Sequence, residues 1–595
     1  MIRSWWNGRS GFLAAPLLFG TALVVSALPA RVTRAQPVSV EATSTAAAST
    51  DAAKAEASPA VKLPKPAPDY GIPQVARINE EIRTAWIDYD LKPSPPATDG
   101  EWCRRLYLDL LGRVPSVQEL GAFLADTSPD KKAKLVNTLL SSDDYVEDYA
   151  RNWTTVWTTV LIGRTGGNDQ NSLISRAGMQ KYLRDSFARN KPYDRMVEEL
   201  VTATGVTTPG SEGFNGAVNF LVDKVNEEDA TLATADTSRI FLGLQVQCTQ
   251  CHNHPFNEWK QQKFWEMNAF FRQTRALRTF APGGNMVSSA ELVNEDFAGE
   301  GGNPVEAELY YELRNGLLKV AYPVFVDGTD VPKSGFVSDV VRRNELSKFM
   351  VNSDYLEKTM ANRMWAHFLG YGFTKPIDDM GPHNPPSNPI LLDYLAEQFR
   401  KNSFNVKELI RWIALSEAYS LSSRVTEDNQ LDDPLLGEKP RFTHFYLRQM
   451  EAEQLYESLL VATQAHKTRG SYEEQEAKKA DWLGQFVQAF GTDAGGETTS
   501  FNGTIPQVLM MFNGDLIRDA TSNEPGSYLT TISSSKLSSR DKINYIYLSA
   551  LARKPSDKEL AIANELLRAR RGDETAALQD MFWAVLNSNE FIFNH

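Results

Sequence analysis

The apolar positions of this chain recur mostly at helical spacing. Leu135, Val136, Leu139 and Leu140 share one face of a 3.6-residue period behind Ser128-Pro129-Asp130, a cap with a first-turn proline. Ser116 and Glu119 stand three apart ahead of Leu120 and Phe123, the spacing of a capping box in which each side chain answers the other's backbone N–H. The texture changes between about Thr279 and Gly335, where Gly, Asn and Pro separate short alternating runs such as Leu317 to Val326, closed by Asp327-Gly328. Alternation with a period of two, and an Asp-Gly turn, predict strands. The predicted class is mainly α: two helical domains, 73–278 and 336–595, with a small β insertion at 279–335 between them.

Two patterns repeat. Tyr107-Leu108, Leu111, Arg113, Pro115-Ser116 and Glu119-Leu120 recur at identical spacing as Tyr547-Leu548, Leu551, Arg553, Pro555-Ser556 and Glu559-Leu560, so one helix, turn and helix is expected near both ends. Ser142-Asp143-Asp144-Tyr145, Ser416-Glu417-Ala418-Tyr419 and Ser588-Asn589-Glu590-Phe591 end helices, with a shorter version at Ser353-Asp354-Tyr355. A serine there caps the next turn while an aromatic ring packs back. These repeats carry capping and packing chemistry without converging reactive groups, and read as scaffold. The charges from Glu473 to Lys479 alternate without aromatic partners, as on a solvated helix face.

At the amino terminus, Arg3 and Arg9 are followed by an apolar stretch from Gly11 to Leu28, broken by Pro16, and by small residues at Ala27, Ala30 and Ala35. Residues 1–35 therefore read as an export signal or, left uncleaved, as a membrane anchor. Residues 36–72, rich in Ala, Ser, Thr, Pro and Lys, hold too few large apolar side chains to offset chain entropy and read as a disordered tether. Beyond them no apolar run is long enough to span a membrane, although 42% of the chain is hydrophobic, so a globular body follows. A net charge of −13 and a pI near 5.3 argue against nucleic acid or an anionic membrane surface as partner. The expected location is the periplasm or cell surface, with membrane contact only through an uncleaved leader.

Export bears on the most specific chemistry of the chain. Among only three cysteines and seven histidines, Cys248-Thr249-Gln250-Cys251-His252 has the attachment spacing of one covalent haem c. Cys248 and Cys251 would form thioethers, and His252 would be the proximal iron ligand. The same residues could instead form a short disulfide or join a zinc site. An oxidising compartment is where haem attachment occurs, while a reducing one would favour zinc or thiol redox chemistry. Cys103, in the apolar segment Trp102 to Leu111, reads as a buried small hydrophobe.

Met267, Met364, His367 and His383 are candidates for a sixth iron ligand, and a five-coordinate iron is the alternative. Met267 is nearest in register but sits among Phe264, Trp265, Phe270 and Phe271, where methionine more often fills a core. His254 precedes Pro255, is therefore turned out of helical geometry, and is a candidate to line the site. A second constellation, Asp378, Asp379, His383 and Asn384, lies in a loop rich in Gly and Pro. It could hold a divalent cation such as Zn or Ca, or act as acid and base, or simply cap and stiffen a loop. No serine-nucleophile elbow, phosphate-cradling loop or dinucleotide fingerprint stands out.

Several segments resemble a planctomycete-type cytochrome-like family that joins the domain of unknown function 1549 to the domain of unknown function 1553. The first is carried by Leu91-Lys92-Pro93-Ser94-Pro95-Pro96, by Arg104-Arg105-Leu106-Tyr107-Leu108-Asp109-Leu110, and by Arg239-Ile240-Phe241-Leu242-Gly243 running through Cys248 to His254-Pro255-Phe256. The second is carried by Asn362-Arg363-Met364-Trp365-Ala366-His367-Phe368, Asp378-Asp379-Met380-Gly381-Pro382, Asn384-Pro385-Pro386-Ser387 and the ending Leu586-Asn587-Ser588-Asn589-Glu590-Phe591. Relatives often have a further cytochrome domain at the amino terminus and a cysteine-containing acidic stretch where this chain has the cysteine-free Gly491 to Gly503. Together, motif and resemblance imply an exported haem protein working in electron transfer, or as the redox module of a larger system, with a redox partner protein. The rival expectations are a non-haem metal-dependent enzyme acting on extracellular polymers and a disulfide-stabilised surface scaffold.

Overall fold

A computed structural model describes residues 62–225, 228–255, 257–491 and 505–595. The leader, residues 36–61 of the expected tether, residues 226–227, Phe256 and residues 492–504 lie outside the described residues. Residues 62–72, at the end of that tether, lie against the body: Leu63, Tyr70 and Ile72 pack on the core, and Arg83 donates to Pro64 O at 2.6 Å.

Helix dominates, as the periodicity predicts. The Val117–Ala125 helix starts at Ser116, whose hydroxyl accepts from Glu119 N while the Glu119 carboxylate accepts from Ser116 N. The next helix, Lys131–Ser141, begins later than its sequence suggests. Asp130 is its cap residue without a side-chain cap bond, and Ser128 is held in a turn by Asp126, which accepts from both its N–H and its hydroxyl. The competing local turn wins because Asp126 offers two bonds at 2.8 and 2.6 Å.

The β texture begins at Thr274. Thr274–Phe280 pairs with Val287–Asn294, and Gly205–Val206 adds a third strand on the other edge of the latter. A separate hairpin pairs Leu309–Glu312 with Leu318–Ala321. Asp327-Gly328 turns the chain between Phe325 and Thr329, whose carbonyl accepts from Phe325 N at 2.7 Å.

The apolar residues gather into two large cores. One includes Trp86, Trp102, Trp153, Trp157, Phe241, Trp365 and Phe399 and draws on residues up to Tyr446. The other runs from Met450 to Ile592 and includes Trp482, Phe486, Ile543 and Phe582. The cores therefore divide near 447 rather than at the β insertion. The Asp354–Leu369 helix explains this: it is buried along most of its length and packs against Thr231–Leu242 as well as against Pro389–Lys401 and Val406–Ala414. The cores also exchange residues, with Leu108 and Val114 in the second and Ala552 in the first.

Buried arginines staple the joints. Arg104 donates to Phe591 O at 2.7 Å and Phe593 O at 3.0 Å. Arg105 reaches Tyr419 O, Leu421 O and His595 O. Arg343 reaches Val201 O and Ala203 O. Asp109, also buried, accepts from Tyr419, Arg448 and Asn594. Part of the Arg104-to-Leu110 segment that carried the family resemblance thus satisfies buried carbonyls and joins distant chain segments.

Candidate functional site

The Thr231–Leu242 helix ends at Gly243, which takes the left-handed conformation at φ 66°. A Cβ there would stand 2.4 Å from Met380 Cε, so glycine lets the 378–384 loop close on the helix end, and Met380 N donates to Gly243 O at 2.7 Å.

The chain then forms a short 3₁₀ turn, Gln247–Gln250, carrying the first cysteine. Thr249 is fully buried and its hydroxyl donates to Val246 O at 2.6 Å. The Gln250 carbonyl accepts from Gln261 and Trp265, each at 3.1 Å. With Thr249 drawn inward and Gln250 clamped, Cys248 and Cys251 are left exposed as free thiols. Cys248 lies within the turn and Cys251 is the residue that closes it.

His252 is half-buried, and its Nδ1 meets Asn253 O at 2.7 Å. A proton on Nδ1 makes that bond and leaves the lone pair on Nε2, the tautomer an iron ligand requires. Two exposed free thiols three residues apart and an imidazole with Nε2 in reserve fit c-type haem attachment.

The neighbouring candidates are placed differently. Met267 is buried in the Gln261–Asn268 helix, within the core that holds Phe264, Phe270 and Phe271. His254 sits in a turn, where its N–H donates to Trp259 O at 2.8 Å and its Nδ1 accepts from Asn257 N at 3.2 Å. In a neutral imidazole that bond occupies the lone pair a metal would use. His367 is packed 4.8 Å from the Trp153 ring, and burial lowers its pKa. Met364 is buried in the large core.

The second constellation splits into two parts. Asp378 is buried; its carboxylate accepts from Arg239 at 3.1 Å and from Gln245, three residues before Cys248, at 2.8 Å. Arg239 also pairs with Asp236, which pairs with Lys224. Burial would lower the Arg239 pKa, but Asp236 and Asp378 raise it overall. Asp379 points elsewhere: its carboxylate meets His383 Nε2 at 3.0 Å and its carbonyl accepts from Asn384 at 2.7 Å. His383 Nδ1 is sealed without a partner, and its ring lies 6.2 Å from that of His254. Buried Asn362 positions the approach to this loop, donating to Thr374 Oγ1 and Ile377 O and accepting from Phe373 N.

The structure thus brings the two sequence-predicted sites together through Gln245 with Asp378 and His254 with His383. Among the described residues no three side chains of His, Cys, Asp and Glu gather to hold a metal ion. The clamping residues Thr249, Gln261, Trp265 and Gln245 carried no sequence signal. The Asp379–His383 pair had one, a spacing of four residues.

A family model for a protein of unknown function, DUF1549 or PSCyt2, matches residues 77–276. A second, DUF1553 or PSD1, matches residues 342–497. The chain belongs to the family that joins DUF1549 to DUF1553. The exposed thiols and His252 lie in the DUF1549 part, the Asp378-to-Asn384 loop lies in the DUF1553 part, and the contacts above cross from one to the other. No curated protein and no solved structure matches the chain.

Proposed function

We propose that the chain is an exported redox protein that holds one c-type haem in its DUF1549 part and exchanges electrons with a partner protein at the periplasm or cell surface. The observation that carries this reading is the exposure of Cys248 and Cys251 as free thiols within and just after one tight turn, since attachment requires both sulfurs to be open to one porphyrin. The group, when bound, supplies one-electron transfer. The protein's own part is to anchor it through two thioethers and to offer His252 Nε2. The bond from Nδ1 to Asn253 O fixes the ring and its tautomer.

The test is to produce the exported protein beside a haem-attachment system and measure intact mass, visible spectrum and haem staining after denaturing electrophoresis. The expected result is one haem per chain, lost in C248S/C251S. A folded, colourless protein with two titratable thiols overturns the reading. Zinc or calcium without porphyrin absorbance supports the metal-enzyme rival, and a mass two protons lower than the reduced chain supports the disulfide scaffold.

A further inference from the structure

A cavity of about 560 Å³ lies between the Val146–Ile162 helix, the Asp354–Leu369 helix and the 448–454 segment; Asp378 borders it, and neither Cys248 nor Cys251 lines it. That volume suits a small organic ligand. Trp153, Val156, Trp157, Val160, Met364 and Ile377 give it apolar walls.

Most charges on its wall are already answered. Arg164 pairs with Glu451 at 3.1 Å and Glu453 at 2.7 Å, and Arg448 pairs with Asp109 at 2.7 Å. Lys224, Asp236, Arg239 and Asp378 alternate in sign along one chain of ion pairs, and Arg363 follows Asp378 as a further cation. Asp378 acts on Arg363 through space while already hydrogen-bonded to Arg239 and Gln245.

Arg363 Nε and Nη2 are buried with no hydrogen-bond partner. These two nitrogens form one edge of the guanidinium, spaced to meet both oxygens of a carboxylate. Two other residues lining the cavity also carry orphaned donors, Trp153 at Nε1 and Arg448 at Nε, against one orphaned acceptor, Asn594 Oδ1. Burial without a partner is costly for such groups, and a surplus of donors is relieved by an anion.

We propose that this cavity binds a small organic carboxylate with an aromatic or apolar body, its head received by Arg363 and its body held between the tryptophan-bearing helix and Met364. Arg363 Nε and Nη2 are closed to water, so receiving the head requires the guanidinium to turn toward it. The proposal is independent of haem attachment, and C248S/C251S is expected to bind as the unaltered chain does.

The test uses the full chain and calorimetric titration with 2-naphthoate and with its neutral isostere 2-naphthamide. One site per chain is expected, with the carboxylate favoured by about tenfold or more, as a charge-assisted hydrogen bond gives. Arg363→Met should equalise the two probes. Val156→Trp, which fills the cavity while leaving Arg363 in place, should abolish binding of both and decides the matter if Arg363→Met does not fold. No binding of either probe to the unaltered chain, equal affinity for both, or naphthoate binding that survives Val156→Trp overturns the proposal.

Discussion

The helix–turn–helix units at the two ends of the chain share a local design and differ in how deeply they are buried. In the first, Asp99–Leu111 leads to Val117–Ala125; in the second, Ser539–Leu551 leads to Asp557–Ala569. Arg113 lies over the Tyr107 ring at 5.4 Å and pairs with Glu119 at 2.9 Å, and Arg553 lies over Tyr547 at 5.6 Å and pairs with Glu559 at 2.8 Å. Each arginine takes a second carboxylate, Asp148 or Glu590, and each second helix opens with a capping box, from Ser116 or Ser556. Yet the Asp99–Leu111 helix is buried on almost every side, including Arg104 and Arg105, while Tyr545, which stands where Arg105 does, is exposed. Identical caps and turns can therefore serve a central helix or a peripheral one. Which it becomes depends on the chain packed around it.

The largest test of this contrast is at those paired positions. Arg105→Met removes three donations to backbone carbonyls, two of them buried, and should cost about 3–5 kcal/mol, whereas Tyr545→Ala should cost under about 1 kcal/mol. Urea unfolding checks both, and similar losses would mean that the difference in burial carries no energy.

A change of sign is expected at the turns. Gly112 and Ala552 both adopt the left-handed conformation, at φ 71° and 55°. A Cβ on Gly112 would meet Asn152 Oδ1 at 2.5 Å and disturb an amide that donates to Asp109 O and Leu110 O. Gly112→Ala should therefore destabilise by about 2–3 kcal/mol, and Ala552→Gly should stabilise by about 0.5–1 kcal/mol. Thermal midpoints moving in the same direction for both would break the comparison.

The smallest effect concerns the acidic limit. Arg553 hydrogen bonds hold the Glu559 carboxyl at about 2, below its ordinary 4.5. A depressed folded-state value adds stability that is present above 4.5 and lost as pH falls toward 2. Because Glu559 and Arg553 are both partly exposed and water screens the pair, Glu559→Gln should cost only about 0.5–1 kcal/mol at pH 7, shrinking to nothing near pH 2. Denaturation curves at several pH values measure this, and a difference independent of pH would remove the ion pair from the account. Burial raises and Arg113 lowers the pKa of Glu119, with a net fall, so Glu119→Gln should show the same sense.

Much of the scaffold was legible. Ser116 with Glu119 and Ser556 with Glu559 are short-range patterns, and they form the capping boxes their spacing implies. Asp327-Gly328 marks its turn for the same reason. Ser128 misled because Asp126, two residues earlier, offered a competing acceptor. At the candidate site, the Cys-x-x-Cys-His pattern marked the residues to look at, but Thr249 as the buried anchor was indistinguishable from any exposed threonine. The two cores were equally hidden, because the apolar face of Asp354–Leu369 does not say whether its partners come before or after it.

Sequence alone determined what neighbouring residues can settle among themselves: caps, turns and helical faces. Tertiary structure decided that Gln245 meets Asp378 and His254 faces His383, residues more than a hundred positions apart. It also decided that Arg363 and Trp153 border one cavity with donors unanswered. The physical reason is range. Hydrogen-bond geometry and side-chain period act within a few residues, whereas meetings across the chain follow from how whole helices bury their surfaces against one another.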